Sequence, residues 1–195
     1  MRHVTMFSAA LIIIISSFVG FVIEDTWLAL RRGYIDNRNV NLPFLFGYGL
    51  AVMGFYLLLG LPGGDGDVLY CIKAALLVSV GEILLGKTVE YTCGIRYWDY
   101  SSIPLHITRY TSVPTSLGFG IIITEYMENV LPAILMLAEQ FESYRTTLMA
   151  LGIVLILELD CASSFHYFHT KKEPYLKWKR DLPFLQHPIS QNYTG

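Results

Sequence analysis

Apolar residues along this chain gather into five long runs, at about 8–30, 44–61, 69–92, 114–137 and 147–167. A helix rises 1.5 Å per residue, so about 20 residues cross a bilayer core of roughly 30 Å. Four of the runs meet that length. The second is short and lies between Pro43 and the Pro62-Gly63-Gly64 turn, so it is expected to be tilted or partly re-entrant. The first resembles a signal peptide at its start. However, it continues from Phe7 to Leu30, and no A-x-A-like cleavage site stands near Ser16–Gly20, so it is expected to be a retained helix. The pattern predicts an all-α fold, a polytopic transmembrane helical bundle of about five spans within residues 1–170. A basic, aromatic tail follows over 171–195.

Polar positions inside these runs change the picture. Glu24 and Asp25 fall in the first run, Glu82 and Glu90 in the third, Glu125 and Glu128 in the fourth, Glu158 and Asp160 in the fifth. A carboxylate near a bilayer centre costs about 2.5–3.5 kcal/mol on insertion scales, and such residues usually face a polar interior. The pattern therefore predicts an acidic intramembrane cavity. On a helix over the third run, Glu82 and Glu90 differ by about 80° and stand about 12 Å apart along the axis. Both are expected to face one cavity, with Gly86 leaving space between them. Lys87, three residues before Glu90, is placed to pair with it. The blander alternative is that these charges only pair within the bundle or snorkel to its ends.

The distribution of Lys and Arg sets an orientation. Arg2, Arg145 and Lys73 belong to one side; Arg31, Arg32, Arg38, Arg96, Arg109 and the tail bases Lys171, Lys172, Lys177, Lys179 and Arg180 belong to the other. The positive-inside rule then puts the N-terminus outside and the C-terminus in the cytoplasm. The tail suits an anionic leaflet, or serves only as a topology anchor. The Asn192-Tyr193-Thr194 sequon is expected to be cytoplasmic and without consequence.

Composition agrees with a membrane class: 53% of residues are hydrophobic and 15% charged, against about 25% charged in soluble domains. A formal net charge of −2 gives no reason to expect nucleic acid. Cys71, Cys93 and Cys161 are far apart and form no C-x-x-C, so neither a disulfide framework nor a zinc site is expected. His166 and His169, i and i+3 near a helix end, read as interfacial residues rather than metal ligands. No cofactor is expected.

Three motifs look like chemistry. Gly81-Glu82-Ile83-Leu84-Leu85-Gly86-Lys87-Thr88 matches the phosphate-loop pattern letter for letter. A working phosphate loop needs free amides between a strand and a helix; here the middle is apolar and lies inside a helix-length run. Phe46-Gly47-Tyr48-Gly49 echoes a potassium filter but reads as glycine-mediated helix packing. Trp98-Asp99-Tyr100-Ser101, followed by Ile103-Pro104-Leu105-His106, is the most distinctive loop. Asp99 is expected to cap a turn. A sharper reading puts Asp99, Tyr100 and Ser101 at a cytoplasmic mouth, with Arg96 and Arg109 able to hold a phosphate or carboxylate.

Taken together, Glu24, Arg32-Gly33, Pro43, Gly47-Tyr48-Gly49, Glu82, Gly86, Glu90, Trp98-Asp99-Tyr100-Ser101, Pro104, Ser116 and Gly120 give the chain a resemblance. Over about residues 18–120 it resembles the type IV ABC-transporter permease family, also called CmpB-like. It departs where His106 replaces a usual Asn, Arg109 a usual Gly and Phe119 a usual Trp. The resemblance implies a multi-pass membrane fold and a permease-like component of a bacterial plasma membrane, dependent on a separate ATPase subunit. The expected site for a cation, proton or small solute comprises Glu24, Arg32, Glu82, Lys87, Glu90, Trp98, Asp99, Tyr100, Ser101 and His106, with catalytic residues unassigned. Two other readings stay open: an intramembrane enzyme acting on a lipid or isoprenoid, and an assembly or regulatory subunit that transports nothing.

Overall fold

The computed structural model describes residues 4–63 and 67–183. Arg2 and the Asn192 sequon lie outside the described residues. Helix α1 runs Met6–Arg32, α2 Phe46–Leu59, α3 Asp67–Cys93, α4 Val113–Glu125, α5 Leu131–Phe141 and α6 Tyr144–Lys171. A π-helical turn, Tyr126–Val130, joins α4 to α5 into one rod. Among the described residues, four helical rods are long and apolar enough to cross a membrane: α1, α3, α4–α5 and α6. The protein is an integral membrane helical bundle, as its hydrophobic pattern predicts.

Local chemistry explains the boundaries. Thr5, Ser112 and Ser143 cap α1, α4 and α6, each accepting a hydrogen bond from the amide three residues on. Gly33 ends α1 at φ 69°, a left-handed conformation that glycine adopts without a Cβ clash. Pro132 lacks an N–H for the carbonyl four residues back and breaks the α-helical ladder. The Leu131 amide accordingly bonds the Tyr126 carbonyl in π register.

The short second run resolves into a half-helix. Helix α2 has 14 residues, about 21 Å, less than the bilayer core. Its start is pinned inside the bundle, where the Leu45 amide donates to the Ser17 carbonyl at 2.9 Å. Ser17 lies about 22 Å along α1 from its end at Arg32. Residues 37–45 thus carry non-helical backbone to membrane depth, which lipid cannot tolerate unless protein groups satisfy it. Asp160 of α6 does so: its carboxylate accepts from the Asn41 amide (3.1 Å), the Asn41 side chain (2.7 Å) and the Leu42 amide (2.9 Å). A carboxylate that the sequence shows only as a charge in the fifth apolar run is the anchor of a broken span.

Helix α1 is the hub, packed on α2, α5 and α6, while α3 packs on α4. The main core draws Ile12, Phe55, Tyr56, Tyr70, Met127 and Leu131 from five elements. Close approaches rely on small residues: a Cβ at Gly20 would strike the Tyr48 ring, and one at Gly49 the Ile13 carbonyl. This is the packing read from the Gly47-Tyr48-Gly49 stretch, although Gly47 itself faces open space.

The ends of α1, α3 and α6 meet in one polar layer. Strand β1 (Tyr34–Asp36) pairs antiparallel with β4 (Lys179–Asp181), Ile35 opposite Arg180. The tail is therefore folded back over residues 172–182. Buried Asn37 staples it: the side-chain amide donates to the Val40 and Tyr175 carbonyls, and its oxygen accepts the Lys177 amide. Lys172 donates to the Cys93 carbonyl at 2.8 Å, and the His169 ring meets the Thr92 carbonyl at 2.7 Å. Strands β2 (His106–Thr108) and β3 (Thr111–Ser112) form a small hairpin within the loop that leads into α4.

Candidate functional site

Three carboxylates, Glu24 on α1 and Glu82 and Glu90 on α3, make up the candidate site. Glu24, near the end of α1, accepts from Arg38 at 2.9 Å and from the Tyr48 hydroxyl. Arg38 reaches it because the loop turns sharply there: Arg38 and Asn39 take φ 45° and 66°, uncommon for residues with a side chain. Asp36 steadies the turn by accepting the Arg38 amide at 2.7 Å. Tyr48 reaches Glu24 from the first turn of the half-helix α2.

Glu82 lies mid-span on α3 and faces the hydroxyls of Thr111 and Tyr100. Its Oε2 is buried and accepts no hydrogen bond; Arg38 Nε is likewise buried and donates none. Each such unpaired buried group is costly, so the orphaned acceptor on Glu82 and the orphaned donor on Arg38 each call for explanation. Tyr100 is the link. Its phenol pKa is raised by burial first, then by the charge of Glu82 and, more weakly, of Glu24. Behind Glu82 runs a hydroxyl chain: Thr111 to Ser116 at 2.9 Å and Ser79 to Ser116 at 2.8 Å.

Glu90, two turns further along α3, accepts from the Tyr110 hydroxyl. Arg96 and Arg109 approach it at 3.7 and 3.9 Å. These two bases, read as ligands for a substrate anion, already face an internal carboxylate. Arg96 also holds Asp99 at 2.8 Å. The hydrogen bond to Glu90 raises the Tyr110 phenol pKa.

The expected pairing of Lys87 with Glu90 does not form. Lys87 is exposed and makes no ion pair among the described residues; Arg96 and Arg109 take its place. The space kept by Gly86 is not open either, since the Tyr110 ring packs against it. What separates Glu82 from Glu90 is therefore an aromatic side chain. Arg32 is exposed at the end of α1 and makes no ion pair among the described residues, whereas Arg38 binds Glu24.

The Trp98–Ser101 loop does what its residue types suggest. Asp99 accepts the Ser101 amide at 2.8 Å. Hydrogen bonds from Ser101 lower the Asp99 pKa to about 2. Trp98 donates its indole N–H to the Tyr110 carbonyl at 2.9 Å, holding Tyr110 over Gly86. His106 is exposed, its Nδ1 near the Ile103 carbonyl at 3.2 Å, and it touches none of the three carboxylates. Arg38, Tyr48, Tyr110 and Thr111 complete the site without having been expected there. Tyr48 carries a signal between its two glycines; Arg38 sits in a polar loop and carries none.

The phosphate-loop match at Gly81–Thr88 lies wholly inside α3, where helical amides are already bonded. Among the described residues no group of three or more His, Cys, Asp or Glu is placed to hold a metal ion.

The family described as "Putative ABC-transporter type IV" matches residues 11–165 of the chain. No curated protein and no solved structure matches.

Proposed function

The chain belongs to the type IV ABC-transporter family, and from that premise we propose that it is a permease-like component of a bacterial plasma membrane whose Glu82 carboxylate receives a proton or small cation. The N-terminus lies outside, and the polar layer faces the cytoplasm. One observation carries the reading: the unpaired Oε2 of Glu82, a mid-span carboxylate flanked by Tyr100 and Thr111. A charge that is neither paired nor fully hydrogen-bonded at that depth is a functional feature more often than a structural one. The neighbouring half-helix α2 supports it, because broken spans in transporters bring irregular backbone and helix ends to the substrate path.

Glu24 and Glu90 then have supporting roles. Each is held by Arg and Tyr partners, and Tyr100 and Tyr110 couple them to the loop above. No step of ATP chemistry is assigned to this chain, since its phosphate-loop match is helical. A separate ATPase subunit would dock on the exposed loop around Asp99.

The test combines composition and flux. Protein purified gently from native membranes is expected to carry a stoichiometric ATPase, identified by mass spectrometry. Glu82→Gln is expected to keep that complex while abolishing solute movement in cells. A variant that transports normally sinks the role of Glu82; a chain isolated alone sinks the ATPase-coupled reading.

A further inference from the structure

An apolar groove of about 310 Å³ runs along the outside of α1 near its end, away from the three carboxylates. Phe21, Val22, Thr26, Ala29 and Leu30 line one wall, and Ile35 of β1 forms the other. Asp25 also borders it but is turned to β1, where its carboxylate accepts the Asp36 amide at 3.3 Å.

Helix and ladder geometry bring two arginines toward the mouth. Arg32 follows Ala29 by three residues and Asp25 by seven, so it shares their face of α1, one to two turns closer to the polar layer. Arg180 lies directly opposite Ile35 in the β1–β4 ladder. Directly opposed residues project to the same side of a strand pair, so Arg180 emerges beside the groove. Both are exposed, and neither makes an ion pair among the described residues. The neighbouring base Lys179 is engaged instead, with Asp181 at 3.4 Å and the Tyr34 ring at 4.1 Å.

We propose that this groove seats an acyl chain of an anionic phospholipid, with the lipid phosphate held between Arg32 and Arg180. The groove is too small for a helix about 10–12 Å across but suits a chain of methylenes. Its mouth, at the end of a membrane-spanning helix, is at headgroup depth, and its body runs toward the bilayer core. Two guanidinium groups match a phosphate diester in charge and geometry. The lipid would bridge α1 and the returning tail, elements far apart in sequence.

The experiment places the full chain in nanodiscs of equal phosphatidylcholine and phosphatidylglycerol and counts lipids retained on release into a native mass spectrometer. Wild type is expected to retain one phosphatidylglycerol, enriched roughly tenfold or more over phosphatidylcholine. Arg32→Gln with Arg180→Gln is expected to abolish the enrichment. Val22→Trp, which fills the exposed groove and leaves both arginines, is expected to do the same. Arg31→Gln with Lys171→Gln removes equal charge from the same layer and is expected to change nothing. Equal loss in that control means diffuse attraction to the leaflet and overturns the site. So does displacement of the lipid by soluble glycerol phosphate, or full retention in Val22→Trp, either of which marks an anion site without a groove.

Discussion

Glu82, Glu90 and Glu128 show how one residue type takes three roles by environment. Glu82 is half-buried with one buried, unpaired oxygen, Glu90 is surrounded by Arg96, Arg109 and Tyr110, and Glu128 is exposed on the π turn. Glu90→Gln is expected to insert normally but to abolish activity in a cell-based assay, because it unbalances two arginines and one phenol together. Glu128→Gln is expected to be milder; equal, small effects at both would remove Glu90 from the site. The tyrosines have their own signature. A phenol whose pKa is raised in the fold contributes stability that is present below the ordinary value of about 10 and lost as pH rises through the raised value. Absorbance titration of tyrosinate is thus expected to show late-titrating phenols, and Tyr100→Phe and Tyr110→Phe should each remove one. Asp99 works in the other direction. Its folded pKa of about 2 contributes stability above the unfolded value, lost as pH falls through the folded one. The turn it closes should therefore persist at pH 3, as read by Trp98 fluorescence.

At the scale of elements, the α1–α2 contact is set by what is missing from two glycines. Gly20 receives the Tyr48 ring and Gly49 receives the α1 backbone. Gly20→Ala is expected to push Tyr48 away from Glu24 and to cost about 1–3 kcal/mol, typical of overpacking. A thermal unfolding midpoint in detergent unchanged from wild type would contradict this. Gly47→Ala, which meets open space, serves as the matched control. The half-helix also explains why Asp160 is needed. It satisfies backbone amides that an ordinary span would satisfy by itself, so its charge is part of the fold rather than of a solute path.

At the scale of the whole molecule, the polar layer ties four distant segments together. Asn37 joins the first loop to the tail, Asn39 donates to Tyr97, and Lys172 joins the tail to α3. Asn37→Ala leaves the Lys177 amide and the Val40 and Tyr175 carbonyls without their partner. Each net hydrogen bond contributes about 0.5–1.5 kcal/mol, so the tail is expected to come free. Limited proteolysis should then cleave near residues 173–178 much faster than in wild type. An unchanged cleavage rate would show that the β1–β4 pairing holds the tail without Asn37.

The sequence alone determined the membrane bundle and the residues of its distinctive loop. These follow from local physics: runs long enough for a bilayer, and an Asp two residues before the amide it binds. It also marked Glu24, Glu82 and Glu90, because a charge within an apolar run is visible without a structure. Only the tertiary structure decided their partners. Lys87 is near Glu90 in sequence, yet Arg96, Arg109 and Tyr110 are the groups that reach it. Arg38, not marked as a site residue, binds Glu24 because a left-handed turn aims it there. The half-helix held by Asp160 and the groove between Arg32 and Arg180 were invisible for the same reason. Each depends on segments more than a hundred residues apart, and hydrophobic periodicity carries no information about which distant side chain meets which.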